Sequence, residues 1–301
     1  MLRPMDIWRP AIIAKPFGRI LDEGIEEASL HWLPELPPAC FWADPFGLWR
    51  DGKLHVFVER FDYHDRGGWI EVLVYDADLR LLGSRPVLRE AWHLSYPFVF
   101  EAEGETWMLP EAFQSGTLTL YRARRFPDQW EPACSLPLDG PAIDATPFQF
   151  EGRWWLVYAP SHSKPAKQSH LHAAYADRLT GPWTPHPGNP VLIDRSSARP
   201  GGTPFLHGGR IVLPVQDCRG TYGAALRLLD ISRLDATGFA AEARDGLAPV
   251  SWMAPYLDGM HTLSAAGAVS LIDAKWMDAS LAGKLSRLYG IVKHKIARQA
   301  A

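Results

Sequence analysis

Cysteine is scarce in this chain: Cys40, Cys134 and Cys218 are the only three among 301 residues. The odd count, wide spacing and absence of a CxxC pair leave no basis for a disulfide framework or a cysteine-ligated zinc site. A reducing compartment is the simpler setting, and no metal or cofactor is expected. Long apolar runs are missing too, since no segment offers the roughly 18 apolar residues of a spanning helix. The first twenty residues, MLRPMDIWRPAIIAKPFGRI, place Asp6, Arg9 and three prolines where a signal peptide needs an unbroken apolar core. The expectation is a cytoplasmic protein. A formal charge of -3 gives no general attraction to nucleic acid, so no nucleic-acid partner is expected.

What the chain does have is turns and large rings. Thirteen Trp beside 26 Pro and 25 Gly suggest many short strands joined by turns, with indole faces available for packing or for stacking on sugars. One unit recurs. ADPFGLWRDGKLHVFVE (43–59) is followed by SYPFVFEAEGETWMLPE (95–111), ATPFQFEGRWWLVYAPS (145–161), GTPFLHGGRIVLPVQD (202–217) and, more weakly, MAPYLDGMHTLSA (253–265). Each copy reads as a Pro-aromatic pair, a strand, a glycine turn and a second strand. The prolines at 45, 97, 147, 204 and 255 are spaced by 52, 50, 57 and 51 residues. A hairpin-bearing period near 50 is the mark of propeller blades. Alternating runs between the copies, such as WIEVLVYDA from Trp69 and TLTLYRARR from Thr117, supply the outer strands. The expected fold is all-β, a five-bladed β-propeller over residues 1–272, with the segment before Ala43 adding a closing strand or plug. Residues 273–301 change period. There Leu281, Leu285, Leu288, Val292 and Ile296 fall on one stripe of a C-terminal amphipathic α-helix, and Lys284, Arg287, Lys293, Lys295 and Arg298 fall mostly off it. Such a helix could lie on an anionic bilayer as a peripheral contact, or pack its stripe against the propeller.

In a hairpin, the start of the first strand and the end of the second share an edge. If the first strand of each blade is innermost, those positions ring one funnel. Asp44, Tyr96, Thr146, Thr203 and Ala254 form the first set; Glu59, Glu111, Ser161, and Gln216 with Asp217 form the second. Asp144, from AIDATPF, and Arg199, from SARPGG, join them. Converging acids raise one another's pKa, which is costly unless they serve a polar ligand. Each residue also has an ordinary reading. Asp44 can cap a turn, Glu59 and Glu111 can be exposed strand ends, Asp144 can be a turn residue, Arg199 a salt-bridge partner, His93 a backbone donor, His261 a core polar residue, and Trp154 and Trp155 packing groups.

FWADPF, HLSYPFVFEAEGETWMLPEA, LYRARRFPDQW, GPWTPHPGNPV, ARPGG and QDCRGTYG together resemble the five-bladed superfamily of glycoside hydrolase family 43 and its relatives. The resemblance is more specific to the propeller domain of glucosamine inositolphosphorylceramide transferases and of bacterial surface-glycan proteins. It implies carboxylate catalysis in the funnel, on a glycan or an activated sugar. Asp44 matches the general base of family 43 and Asp144 its orienting aspartate, whereas the fourth-blade acid is replaced by RPGGTPF. Glu111 is then assigned as acid or acceptor-binding group, with Glu59, His93, Arg199, Gln216, Asp217 and Tyr222 as substrate-binding residues. A missing proton donor favours transfer from an activated donor whose leaving group is already an anion. The expected activity is glycosyl transfer in surface-glycan or glycolipid assembly, with a family 43 type hydrolase and a non-catalytic glycan-binding propeller as alternatives.

Overall fold

The computed structural model describes residues 3–300, and side chains as far as 295. Five antiparallel sheets follow one another around a ring. Blade one comprises Cys40–Arg50, Lys53–Asp62, Gly67–Tyr75 and Leu81–Leu88. Blade two comprises Ser95–Ala102, Glu105–Glu111, Leu118–Arg125 and Gln129–Leu136. Blade three runs from Ala142–Phe150 and Arg153–Pro160 to His170–Ala176 with two short outer strands, and blade four is built on Arg210–Asp217, Ala225–Asp235 and Gly238–Asp245. Blade five joins the chain ends. Its inner strands, Leu263–Ala266 and Val269–Asp278, are completed by the N-terminal Met5–Ile13, which pairs with Val269–Asp278 from Met5↔Asp278 to Ile13↔Ser270. The segment before Ala43 therefore supplies the closing strand. It locks the ring without leaving an open sheet edge at the seam.

Strand alternation explains how the ring is filled. Successive side chains point to opposite faces of a blade, so Trp154 packs with Trp107 and Leu109 of blade two, while Trp155 packs with Leu213 and Leu229 of blade four. Both indoles are buried, at 5% and 2% exposure, so they are packing groups and not sugar platforms. Phe46, Phe57, Tyr96, Phe98 and Met108 fill the seam between blades one and two in the same way. Each fully buried side chain of this size contributes about 1.5–3 kcal/mol of transfer free energy.

Two departures from the repeat shape the centre. In blades one to three the inner strand carries a bulge, at Ala43/Phe46, Ser95/Phe98 and Ile143/Thr146. The first bulged residues, Asp44, Tyr96 and Asp144, have φ of 50°, 44° and 49°. That left-handed conformation costs roughly 1–3 kcal/mol per non-glycine residue and persists only where the surroundings impose it. The bulge in turn re-aims the side chain. In blade four the inner strand is broken into Arg199–Pro200 and Phe205–His207. Between them a Cβ on Gly202 would sit 1.8 Å from the Leu263 carbonyl oxygen. This close approach of blades four and five leaves no room for a side chain at position 202.

The last strand runs to Asp278 and the helix starts at Leu281, so the change of period placed after Ile272 comes later. Within the helix Gly283 and Gly290 are buried, whereas Leu281, Leu285, Leu288 and Val292 are exposed. The stripe does not pack against the propeller. The side chains of Ile296 and Arg298 lie outside the described residues.

Candidate active site

Counting from the hairpin turn, the sixth residue after the start of each second strand faces the funnel. Lys53 leads to Glu59, Glu105 to Glu111, Arg153 to Ala159, Arg210 to Gln216 and Val269 to Lys275. Register agrees: Glu59 pairs with Ala43, Glu111 with Ser95, Ala159 with Ile143 and Gln216 with Arg199. Three expectations change as a result. Asp144, not Thr146, occupies the place of Asp44 in blade three, because the Pro-aromatic pair there is displaced by two residues. Ala159, not Ser161, is the counterpart of Glu59. In blade five the segment at Ala254 is not an inner strand at all; the funnel is lined instead from His261 to Lys275.

Asp44 is 5% exposed and held from three sides. Its Oδ2 accepts from the Tyr96 N–H at 3.1 Å, its Oδ1 accepts from the Thr262 hydroxyl at 2.9 Å, and His261 Nε2 lies 3.5 Å from Oδ1. Behind it Asp273, fully buried, accepts from the N–H groups of Asp44, His261 and Thr262 and lies 2.7 Å from His261 Nδ1. Trp8 from the closing strand stacks on His261, with centroids 3.6 Å apart. Burial pushes the Asp44 carboxyl up to about 6, against the pull of His261. For His261 the largest influence, burial, works against the charged form, yet Asp273 and Asp44 outweigh it and its pKa is raised. Ligand atoms of Asp44, His261 and Asp273 lie within 4.8 Å of one another, a spacing that suits a cation. Here they bond one another and neighbouring N–H groups, so the trio is satisfied as a hydrogen-bonded chain.

Asp144 belongs to a different network. Its Oδ2 accepts from Arg199 Nε at 2.7 Å and from the Gln216 amide at 2.8 Å. Arg199 also donates to the Lys167 carbonyl at 3.1 Å and to the Tyr222 hydroxyl at 3.3 Å, lying over the Tyr222 ring. Burial opposes the Arg199 charge, but Asp144 more than restores it and the pKa is raised. Burial also holds the Tyr222 phenol far above its ordinary range.

Glu111 accepts from the Ser95 hydroxyl at 3.0 Å and from the Phe113 N–H at 2.8 Å. Burial, reinforced by Asp144, pushes it up to about 7. Glu59 is pushed well above the usual carboxylate range by burial and then by Asp44 and Glu111. Its 3.4 Å neighbour His93 is pulled down to about 4 by burial. At neutral pH the imidazole is therefore uncharged, and this contact is not an ion pair.

Asp217 does not belong to the cluster. It follows Gln216 on the strand and so points the other way; Arg219 pairs with it at 2.6 Å, and Arg219 together with its N–H holds the Asp217 carboxyl below its ordinary range despite burial. Two residues at the centre escape the sequence pattern, Asp273 and Thr262, while His261, which the sequence leaves open between ligand and core polar residue, stands beside them. Counting from the turn glycine would have found the first, since Asp273 lies two residues before Lys275 and so shares its face.

A funnel of buried acids closed by a five-bladed propeller defines this protein as a propeller with a central polar site. The family model described as glucosamine inositolphosphorylceramide transferase 1, N-terminal, matches residues 34–244, and the chain belongs to that family. Curated relatives include glucosamine inositolphosphorylceramide transferase 1 of Oryza sativa subsp. indica, 39% identical over 204 residues, covering 65% of this chain and 27% of the relative. The Arabidopsis thaliana protein of the same name is 36% identical over 203 residues, covering 65% and 26%. The chain thus spans about a quarter of the curated relatives it matches. Among solved structures, a family 117 glycoside hydrolase of Zobellia galactanivorans superposes with a TM-score of 0.56 at 12% identity, covering 92% of both chains. A beta-1,2-mannobiose phosphorylase from Listeria innocua gives 0.55 at 11%, covering 85% of this chain and 95% of that one. At such identities these likenesses speak for the fold alone.

Proposed function

We propose that the funnel works on a glycosidic bond, transferring a sugar from an activated donor in the assembly of a glycan or glycolipid. The observation that carries this reading is the pairing of two differently held acids in one buried site. Asp44 receives hydrogen bonds and faces a raised-pKa histidine, which favours its carboxylate. Glu111, pushed to about 7, keeps a proton available near neutrality. Burial raises both carboxyls, to about 6 and about 7, so the division of base and acid roles rests on the partners that hold each one: the imidazole beside Asp44, and the Ser95 hydroxyl and Phe113 N–H on Glu111. In the proposed mechanism Asp44 takes the proton of the attacking hydroxyl. Thr262, the Tyr96 N–H and the His261–Asp273 pair fix its orientation, and Asp144 with Arg199 and Gln216 sets the opposite wall. Glu111 donates to the leaving oxygen or binds the acceptor hydroxyl. The name of the curated relatives, glucosamine inositolphosphorylceramide transferase 1, supports a sugar substrate.

Hydrolysis is the second reading, and one observation favours it: Glu111 offers the proton donor that the fourth blade lacks, as the two-carboxylate mechanism requires. The test is a turnover screen of sugar nucleotides with glycan and lipid acceptors, run beside aryl glycosides, using the wild type and Asp44→Asn. Sugar transfer lost in Asp44→Asn supports the proposal, and aryl glycoside cleavage lost in it supports the second reading. Glycan binding without turnover in either panel would reduce the propeller to a binding module.

A further inference from the structure

The C-terminal helix inverts the usual arrangement of an amphipathic segment. Its small residues face the protein: a Cβ on Gly290 would sit 1.8 Å from the Tyr63 carbonyl oxygen, and one on Gly283 would sit 2.2 Å from Asp278 Oδ2. Arg287 donates to the Pro4 carbonyl at 2.6 Å, Lys293 pairs with Asp65 at 2.7 Å, and the Tyr289 ring lies edge-on to His64. With that face pinned, the apolar stripe points outward. Leu281 is 69% exposed, Leu285 50%, Leu288 40% and Val292 47%. A stripe of this kind left in water by a helix fixed on its other side marks a docking surface.

Its place on the propeller narrows the partner. The helix leaves the strand that carries Asp273 and crosses to the turn after Asp62, at the strand end that carries Glu59. His294, near its end, lines one cleft with His93, the neighbour of Glu59. The stripe therefore lies on the rim of the funnel face. Charge narrows the choice further. The helix carries five cations and no acid in a chain whose net charge is -3; Arg287 and Lys293 are held against the protein, which leaves Lys284 and Lys295, among the described side chains, to meet a partner. Two copies docked stripe to stripe would bring like charge against like. An anionic bilayer complements both the apolar stripe and the cations. No described helix is long and apolar enough to cross a membrane, which fits a helix lying in the interface plane. We infer that this helix seats the protein on an anionic membrane surface with the funnel mouth beside the bilayer.

The experiment is co-sedimentation of the full chain with vesicles of phosphatidylcholine alone and of phosphatidylcholine with 30% phosphatidylserine, as a chosen composition of roughly physiological charge, at low and high salt. Its readout is binding, so it stands or falls apart from the turnover screen. The wild type is expected to bind the anionic vesicles and to lose binding as salt rises. Leu285→Glu with Val292→Glu should weaken binding about tenfold or more through loss of apolar burial, and Lys284→Gln with Lys295→Gln about fivefold per charge. Leu285, Val292 and Lys295 are exposed and Lys284 is half-buried, and unchanged thermal unfolding would verify the fold of both variants. Negligible wild-type binding to anionic vesicles overturns the inference, as does binding that neither variant weakens. A stable dimer in light scattering that Leu285→Glu with Val292→Glu dissociates, without vesicle binding, would assign the stripe to a second copy instead.

Discussion

Asp44 and Asp144 occupy the same bulge position in blades one and three, with φ of 50° and 49° and exposures of 5% and 3%. Backbone and burial are matched, so whatever separates the two residues lies in their partners. Asp144 is clamped by a guanidinium at 2.7 Å and an amide at 2.8 Å. Asp44 has a hydroxyl, an N–H and a titratable imidazole at 3.5 Å. A permanent cation neutralises one aspartate and makes it architecture. The other keeps a carboxylate whose proton affinity lies near neutrality. The repeat thus supplies one backbone device twice, and neighbouring blades decide which copy has chemistry to offer.

The sharpest way to break this comparison is to remove each charge with almost no change of volume. Asp44→Asn should lower turnover on a substrate found in the screen by about 10²- to 10⁴-fold, the range for a general base, with little change in thermal stability. Rates within a few-fold of wild type would return Asp44 to the role of a turn residue. Asp144→Asn should act mainly on stability, since it leaves Arg199 buried without its counter-charge, a loss of about 3–5 kcal/mol for a broken buried pair. Denaturant unfolding of Asp144→Asn beside Arg199→Met separates the two effects. The double variant should be less damaged than the sum of the singles, because it strands no charge.

The comparison also shows what was readable in advance. Hairpins with a glycine turn and period-two alternation are local features, so five blades could be counted from the chain, and Asp44, Glu59 and Glu111 fall where regular copies put them. Blade five is marked less regularly: of MAPYLDGMHTLSA only 263–265 lie in its inner strand. Its inner strand, Leu263–Ala266, has no Pro-aromatic pair, and its third strand comes from the other end of the chain. MAPY at Met253 mimics the repeat without forming a strand, and Asp273 lies beyond the copy that it opens. Pairing across 229 residues, as between the Asp44 N–H and Asp273, leaves no trace in any single window. The helix stripe was readable as a pattern but not as a surface, because an apolar face normally packs inward, and only the clash of a Cβ at Gly290 shows that the glycine side took that place.

A smaller effect concerns pH. Glu111 has an unfolded reference near 4.5 and a folded value of about 7. A folded value raised above the unfolded one means the native state holds its proton more tightly. The associated stability is fully present below about 4.5 and is lost as pH rises through about 7. Integrated over that window it amounts to at most about 3 kcal/mol. His93, lowered to about 4, works in the opposite sense, gaining stability as pH rises toward its unfolded value. The difference between wild type and Glu111→Gln isolates the glutamate. Unfolding free energies at pH 5 and pH 8 should converge in the variant relative to wild type, and an unchanged pH slope would show that Glu111 is already ionised in the fold.

The smallest effect is expected one residue away from a funnel wall. Gln216 and Asp217 are adjacent on one strand, and alternation sends them to opposite sides. Gln216 is fully buried and donates to Asp144 and to the Pro200 carbonyl, both at 2.8 Å. Asp217 turns to Arg219, whose side chain is 66% exposed, so the pair is screened by solvent and contributes roughly 0–1 kcal/mol. Asp217→Asn should therefore change turnover less than about twofold and stability by no more than that contribution. Gln216→Ala should do more on both counts, since it removes a buried donor from the Pro200 carbonyl and from Asp144, which keeps only Arg199, at about 1–3 kcal/mol. Steady-state rates and melting temperatures for the two variants, measured side by side, decide whether strand alternation or strand-end position marks the edge of the site. A larger loss in Asp217→Asn than in Gln216→Ala would bring Asp217 back to the funnel and cast doubt on the register on which the wall around Asp144 depends.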